Sequence, residues 1–299
     1  MIIVIVGPTA VGKSALAVAL AKRLDAEIIS GDSVQIYKRL TIGSAKPSID
    51  EQGGIVHHLI DEYELHQPYS VADFQREVRE RIQMIDAKGK HVILCGGTGF
   101  YVKAALYDYV FDHQSRDHAY EASLETWSND QLYEELTRLD PESADKFHPN
   151  NRVRVLRALG YYHTNQQVIS TQVNKDVPLY DFVGLGLTMD RALLYAKIDE
   201  RVDEMMRQGL LLEVQSLQAH QEVIQAIGYN ELFDALNGEC SMDEAVGLIK
   251  QHSRQLAKRQ MTWFRNQMTL EWLDVTTASL DETLAQALKV IESKKQSTI

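Results

Sequence analysis

The chain has 299 residues, a formal net charge of −11 at pH 7, and the apolar and charged fractions of an ordinary globular protein. This length allows a sizeable core and more than one lobe, and the charge argues against a nucleic-acid partner unless basic residues concentrate locally. The two cysteines, Cys95 and Cys240, are too far apart for a CxxC motif, so neither a disulfide framework nor a zinc module is expected. There is no apolar run of about 18 residues and no charged leader before the first apolar segment, so we expect a cytoplasmic protein with no membrane partner.

Residues 7–14 match the phosphate-binding pattern G-x-x-x-x-G-K-[ST] at every fixed position; they are Gly7, Pro8, Thr9, Ala10, Val11, Gly12, Lys13 and Ser14. The apolar run 1–6 before them predicts a buried parallel strand, and strong helix formers follow them. This context predicts that backbone N–H groups and the helix start hold a diphosphate. Lys13 adds a positive charge, and the Ser14 hydroxyl is the predicted ligand of a Mg²⁺ ion. The pattern leaves open whether the diphosphate belongs to a nucleotide or is a leaving group.

A second predicted strand, 27–30, delivers Asp32 to its carboxyl end, where ligands of open parallel sheets bind. Asp32 is therefore a candidate general base or a partner of the metal site, with a turn-capping role as the alternative. Residues 41–69 have no strong periodicity and predict a long loop with short elements. His57 and His58 within it lack a third ligand at metal spacing, so no metal is predicted there.

The next strand, 91–95, leads into a glycine-rich turn, Gly96-Gly97-Thr98-Gly99. Nucleotide hydrolases often place an aspartate at the end of such a strand to organise Mg²⁺ and water. Its absence here weakens an ATPase interpretation. The glycines would let a substrate approach the backbone beside the Thr98 hydroxyl, although a tight strand-to-helix turn explains them equally well.

Residues 111–176 lack strand alternation and predict a helical insertion. A helix beginning after Asn151 is expected to place Val153 inward and to place Arg154 and Arg157 outward. Such a pair of arginines suits phosphate contacts, and it is equally typical of a solvated helix face.

After the insertion the pattern predicts a strand at 179–189, a helix at 191–208, a long helix at 242–267 and an edge strand at 270–275. The long helix is the strongest local basic feature, with four cations at spacings of four or seven: Lys250, Arg254, Lys258 and Arg265. We interpret this face as a track for nucleic acid or polyphosphate, with a solvated face as the alternative.

Together these elements predict an α/β fold, in which a P-loop-type parallel sheet is flanked by helices, with an inserted all-helical domain and a helical C-terminal region. The predicted boundaries are 1–111 for the first part of the core, 112–176 for the inserted domain and 177–299 for the completion of the core.

Eight segments, in order, resemble the bacterial type of the tRNA dimethylallyltransferase (tRNA isopentenyltransferase) family. They are 7–14, Asp32–Tyr37, Ile42–Pro47, Gly96–Gly99, Asn151–Arg157, Arg201–Met205, Ala226–Tyr229 and Gln255–Arg265. The second and last of these are more specific than the phosphate loop, which many enzymes share. Residues 112–128 match the family poorly.

The resemblance implies transfer of a dimethylallyl group from dimethylallyl diphosphate to N6 of adenosine 37 in tRNA, with Mg²⁺ as cofactor. It implies that Asp32 is the general base, that Arg201 clamps the diphosphate, and that Thr9 also takes part in catalysis. The flipped adenosine would enter a channel lined by Thr9, Ser33, Gln35 and Thr98. The implied tRNA-binding residues, some of them in the inserted domain, are Asp32, Ser33, Val34, Gln35, Thr98, Arg154, Arg157, Gln225, Gly228, Tyr229, Lys258, Arg259 and Arg265.

Two other functions share the phosphate loop. A small-molecule or nucleotide kinase would need ATP and would have no use for the basic helix. A nucleotide-binding switch without turnover would order and disorder residues 41–69. Neither explains the segments that begin at Asp32 and Gln255. We expect the protein to act as a monomer on the anticodon stem-loop.

Overall fold

The computed structural model describes residues 1–111, 117–171 and 176–297. Its parallel sheet has six strands: β1 (Ile2–Val6), β2 (Ala26–Ser30), β3 (His57–His58), β4 (His91–Gly96), β5 (Phe182–Thr188) and β6 (Glu271–Asp274). Their spatial order is β3-β2-β4-β1-β5-β6, so β1 lies inside the sheet and β6 at an edge. All five residues of β1 are buried, as expected of an interior parallel strand. The predicted α/β fold with a parallel sheet is confirmed.

The helices, in chain order, are α1 (Lys13–Leu24), α2 (Ile49–Gln52), α3 (Val71–Ala87), α4 (Gly99–Leu106), α5 (His118–Ser123), α6 (Asn129–Leu139), α7 (Pro141–Lys146), α8 (Arg152–Asn165), α9 (Arg191–Arg207), α10 (Leu210–Ser216), α11 (Asn230–Leu236), α12 (Met242–Gln267) and α13 (Leu280–Ser297). Short 3₁₀ turns occupy Ile169–Thr171 and Gln218–His220. The capping box of Ser241 and Glu244 fixes the start of α12. None of the described helices combines the length and apolar character that crossing a bilayer requires.

The chain divides into two compact units, one of residues 1–107 with 178–299 and the other of residues 108–177. The first unit contains the sheet, whose core includes Ile3, Leu16 and Leu185. The second unit contains α5 to α8 around a core of its own. That an inserted domain with boundaries at 112 and 176 contacts tRNA stays a prediction.

The buried face of α8 differs from the expected one. Val153 is 70% exposed, whereas Val155 and Leu159 are buried. The prediction that Val153 points inward was therefore wrong, because the helix is rotated so that other apolar residues meet α6. Arg154 and Arg157 are exposed.

Candidate diphosphate and acceptor site

The phosphate loop connects β1 to α1 at the carboxyl end of the sheet. β1 lies between β4 and β5, the position at which ligands of open α/β sheets bind. Gly7 has φ 150°, and a Cβ added there would lie 2.8 Å from the carbonyl oxygen of Leu187, so the close packing against β5 requires glycine. Gly12, with φ 97°, caps α1, and Ser14 is exposed in its first turn.

Lys13 is held at the base of this loop. Its Nζ donates to the carbonyl oxygen of Pro8 at 2.7 Å. Burial lowers the pKa of Lys13 to about 8; the Arg201 charge acts in the same direction, while Cys95 and Asp32 oppose it. A bound polyanion would favour the charged ammonium, so the environment of Lys13 suits a phosphate ligand.

A cavity of about 480 Å³ opens beside the loop. One part of its lining is polar and includes Thr9, Asp32, Thr98 and Arg201. The other part is apolar and comes largely from α9 and α12: Ile198, Val202, Met205, Ile249 and Leu256. Ile198, Arg201, Val202 and Met205 follow the helical spacing of three and four, so one face of α9 supplies both the guanidinium and the apolar wall. Burial lowers the pKa of Arg201, and the carboxylates of Asp32 and Glu51 oppose this shift.

Asp32 both lines the cavity and caps its own turn. Its Oδ1 accepts the backbone N–H groups of Val34 at 2.8 Å and Gln35 at 3.3 Å. The Ser33 N–H donates to the Thr98 hydroxyl at 3.2 Å, which joins the ends of β2 and β4. Of the predicted channel residues, Thr9, Ser33 and Thr98 therefore lie together at the cavity, and Val34 lines it as well.

Gln35 occupies a different environment from the expected one. Its Nε2 donates to the carbonyl oxygens of Ser44 at 3.1 Å and Ala45 at 3.2 Å, and its Oε1 accepts the Ser30 hydroxyl at 3.0 Å. Both amide hydrogens are thus used within the protein, and the side chain is not part of the cavity lining. The predicted contact of Gln35 with a base edge does not fit this arrangement.

The turn 225–228 supplies Gln225 and Gly228 to the cavity lining. Tyr229, which follows it, is 0% exposed, and its hydroxyl donates to Glu213 Oε1 at 2.6 Å. A side chain so completely buried cannot contact tRNA, so the predicted contact of Tyr229 is corrected to a structural role.

The sequence did not indicate a role for Gln260. Its Oε1 accepts the Thr9 N–H at 2.9 Å, and its Nε2 donates to the Gly97 carbonyl oxygen at 3.1 Å. A Cβ on Gly97 would lie 2.5 Å from Gln260 Nε2, and one on Gly99 would lie 2.2 Å from the Trp263 ring. These glycines therefore admit side chains of α12, which is a different reason from the expected approach of a substrate. The only sequence signal for Gln260 was its place in the Gln255–Arg265 segment.

The basic face of α12 is partly neutralised within the protein. Lys250 pairs with Asp203 at 2.6 Å, and Arg254 pairs with Asp199. The expectation of one continuous cationic track was wrong for these two residues, because α9 presents carboxylates to them.

The second half of α12 borders a groove of about 510 Å³. Lys258 and Arg259 are exposed and line the groove, and Arg259 also lines the cavity. Arg265 is exposed and lies 5.6 Å from the centre of the Trp272 ring.

The loop suits Mg²⁺ only as a partner of a phosphate ligand. Within residues 1–111, 117–171 and 176–297, no group of three or more His, Cys, Asp or Glu side chains could hold a metal ion. Ser14 offers one exposed hydroxyl at the start of α1. Mg²⁺ commonly keeps several waters and binds through few protein oxygens and the substrate phosphates, so a single hydroxyl beside a diphosphate fits it.

A loop with the phosphate-binding pattern at the interior strand of a parallel sheet, beside a partly apolar cavity, is typical of phosphate-binding α/β proteins that take a second ligand. The sequence model described as "IPP transferase" matches residues 35–267, and the chain belongs to this family.

The sequence similarity to known proteins covers nearly the whole chain. It is 49% identical over 285 residues to a tRNA dimethylallyltransferase of Geobacillus thermodenitrificans, covering 92% of this chain and 90% of the relative. It is 45% identical over 300 residues to that of Anoxybacillus flavithermus, covering 98% and 96%. The structure of a tRNA isopentenylpyrophosphate transferase from Bacillus halodurans matches with a TM-score of 0.75 at 38% identity, over 100% of this chain and 99% of that one. A eukaryotic dimethylallyltransferase acting on tRNA matches with a TM-score of 0.87 at 28% identity, over 99% of this chain and 79% of that one.

Proposed function

We propose that the protein transfers the dimethylallyl group of dimethylallyl diphosphate to N6 of adenosine 37 in tRNA and releases diphosphate. The observation that carries this proposal is that Asp32 and Arg201 face one cavity beside the phosphate loop and Lys13, while the remaining walls are largely apolar. Cations suit the leaving diphosphate, a carboxylate suits the acceptor proton, and apolar walls suit a five-carbon chain. The relatives named tRNA dimethylallyltransferase support transfer of a dimethylallyl group to tRNA.

The cationic side of the site would stabilise the leaving group. As the bond between C1 and the diphosphate oxygen breaks, Lys13, Arg201 and the N–H groups of the loop face the growing negative charge. Because the Thr9 N–H already donates to Gln260, the N–H groups that follow it in the loop would bind the diphosphate. Lys13 has three N–H donors, and its bond to Pro8 leaves two for phosphate oxygens. Mg²⁺ bound by Ser14 and the diphosphate would neutralise further charge.

The acceptor side would use Asp32 as the general base. The N6 lone pair forms the new bond to C1, the electrons of the C–O bond leave with the diphosphate, and the N6 proton passes to the carboxylate. Oδ1 of Asp32 is held by two backbone N–H groups, which leaves Oδ2 for the amine. Because Asp32 lines a cavity rather than a flat surface, adenosine 37 would have to leave the base stack to reach it.

The tRNA would be held by exposed cations. Lys258, Arg259 and Arg265 on α12, and Arg154 and Arg157 on α8, can contact phosphates of the anticodon stem. The protein would act on the tRNA as a cytoplasmic monomer.

Replacing Asp32 tests the proposal. Wild type should incorporate label from radiolabelled dimethylallyl diphosphate into unmodified tRNA with Mg²⁺ and without ATP. Asp32→Asn keeps the Oδ1 acceptor of the turn but cannot take the proton, so transfer should fall by about 10²–10⁴-fold while tRNA affinity is retained. Consumption of ATP by the wild type without incorporation of label would replace this proposal with the kinase. Weak tRNA binding with near-normal turnover in Asp32→Asn would reject Asp32 as the base.

A further inference from the structure

One wall of the cavity is a loop without regular secondary structure. Residues 41–46, here called the wall loop, contribute Gly43, Ser44 and Ala45 to the cavity lining. Within it, the N–H groups of Ala45 and Lys46 donate to the carbonyl oxygens of Ile42 and Thr41, which leaves the N–H groups of residues 41–43 to partners outside the loop. The position of this wall therefore depends on what binds its backbone.

The main partner is Glu213, on α10, which does not itself line the cavity. Its Oε2 accepts the N–H groups of Thr41 at 3.2 Å and Ile42 at 2.8 Å. Its Oε1 accepts the Gly43 N–H at 3.2 Å and the Tyr229 hydroxyl at 2.6 Å. One carboxylate thus binds three consecutive N–H groups of the wall loop, and charged acceptors make the stronger hydrogen bonds.

Packing fixes the loop from the same side. The Tyr229 ring is fully buried against Gly43, and a Cβ added to Gly43 would lie 2.5 Å from the ring atom Cε2. At the other end of the loop, the Lys46 side chain is only 3% exposed and its ammonium donates to the Tyr37 carbonyl oxygen and to Asp61. The cavity-lining residues are therefore anchored on both sides.

The wall loop is also joined to Asp32. The Gln35 side chain donates to the carbonyl oxygens of Ser44 and Ala45, and the Gln35 backbone N–H donates to Asp32 Oδ1. A continuous set of hydrogen bonds thus runs from Glu213 through the wall loop to the candidate base. The wall loop and Asp32 both border the cavity, and Glu213 holds the wall loop from outside it.

The structure assigns Glu213 as a positioning residue for prenyl transfer, a role that rests on the proposed function. Its carboxylate sets the distance between the wall loop and Asp32, and so the space in which the acceptor amine meets C1 of the prenyl group. A misplacement of about 1 Å can cost about 100-fold in rate. A loose wall would also admit water, whose oxygen attacks C1 as the C–O bond breaks, giving dimethylallyl alcohol, diphosphate and a proton.

The test is Glu213→Gln, which keeps the size of the side chain but replaces one accepting oxygen with an NH₂ group. At saturating substrates, kcat should fall about 10- to 100-fold, because the reacting atoms are misaligned rather than unbound. KM for each substrate should stay within about threefold, since substrate contacts are intact. Labelled dimethylallyl alcohol formed per transferred group should rise, and hydrogen exchange at residues 41–43 should accelerate.

Two matched variants separate positioning from general damage. Tyr229→Phe removes one of the four donors and keeps the ring against Gly43, so its effect should be smaller than that of Glu213→Gln. Glu204→Gln changes a half-exposed glutamate on α9 that pairs with Arg207, and it should behave like wild type.

The outcomes distinguish a failure of the proposed function from a failure of the role assigned to Glu213. If wild type transfers no label, the proposed function fails, and the assignment of Glu213 falls with it. If wild type transfers label and Glu213→Gln keeps its kcat and alcohol ratio despite faster exchange at 41–43, the assignment of Glu213 is overturned. If Glu213→Gln does not fold, Gly43→Ala displaces the same loop through the Tyr229 ring, and an unchanged kcat in that variant overturns the assignment equally.

Discussion

Gln260 connects the phosphate loop to the turn after β4 with a single amide. It accepts from Thr9 on one side and donates to Gly97 on the other. The function of this residue depends on having one acceptor and one donor at the end of a side chain of this length. Glutamate has the length but lacks the donor.

We expect Gln260→Glu to lower kcat/KM for dimethylallyl diphosphate by about tenfold to 100-fold. This corresponds to about 1–3 kcal/mol, the cost of leaving a buried hydrogen-bonding group without its partner. The Gly97 carbonyl loses its donor, and a negative charge is added beside the diphosphate. Steady-state kinetics at fixed tRNA measures the effect. Gln255→Glu places the same charge on an exposed turn of α12 and should leave this parameter unchanged; equal losses in both variants would mean that charge alone is responsible.

The residues of the candidate site were predictable where the signal is local. Lys13 and Ser14 follow from the spacing of eight consecutive residues, and Asp32 from its place at the end of a strand. Gln260 was missed because its partners lie 251 and 163 residues away in the chain. The resemblance implied RNA contacts for Tyr229 and Gln35. A matching segment does not tell whether a polar side chain finds its partners within the protein, as these two do.

The two-residue strand β3 is held to the sheet by side chains. Glu27 of β2 is 3% exposed; its carboxylate lies 2.8 Å from His58 Nε2 and 2.9 Å from Lys88 Nζ. Burial raises the pKa of Glu27, but the hydrogen bonds from His58 and Lys88 outweigh it and hold this pKa below its ordinary value. The ionised carboxylate therefore ties β2, β3 and the end of α3 together.

Glu27→Gln should lower the free energy of unfolding by about 1–3 kcal/mol at pH 7, since a buried carboxylate bound to His58 and Lys88 is replaced by a neutral amide. A depressed folded-state pKa stabilises the fold fully above the unfolded value of 4.5, and this stabilisation is lost as pH falls through the folded pKa. Urea unfolding at pH 7 and near pH 3 measures the difference, which should shrink at the lower pH. Glu292→Gln, at an exposed site on α13, is the control, and a pH-independent difference for Glu27→Gln would contradict this account.

Most elements were predictable because hydrophobic periodicity is a local property. The helix predicted at 242–267 has the bounds of α12, and β1, β2 and β4 lie where apolar runs predicted strands. β3 was not predicted, since two histidines carry no pattern and their pairing with β2 fixes them. The ion pairs of α12 were missed because periodicity identifies a face but not the carboxylates of Asp199 and Asp203 opposite it.

A chain with net charge −11 must bind a polyanion through a small local surplus of cations. The pairing of Lys250 and Arg254 with α9 restricts that surplus on α12 to its second half. The electrostatic attraction of tRNA should therefore depend on position along this helix rather than on total charge.

Lys258→Ala should weaken tRNA binding and reduce the slope of log K against log salt by about 1, because one phosphate contact is lost. Lys250→Ala changes the net charge equally but removes a lysine already paired with Asp203, so the slope should stay as in wild type. Filter binding across a salt series measures both. Equal slopes for the two variants would mean that total charge, not a local contact, attracts the RNA.

The two ends of the unit at 108–177 meet at one place. Tyr107 and Pro178, which flank this unit, form an antiparallel β-bridge. Next to them, the Leu179 N–H donates to the Leu106 carbonyl oxygen at 2.8 Å. β5 can therefore pair with β1 although a long insertion precedes it in the chain. The entropic cost of bringing the two ends of such an insertion together grows only logarithmically with its length. In evolutionary terms, this insertion can change independently of the sheet. Because its two ends are adjacent, it can be lengthened, shortened or exchanged while every strand of the sheet keeps its neighbours.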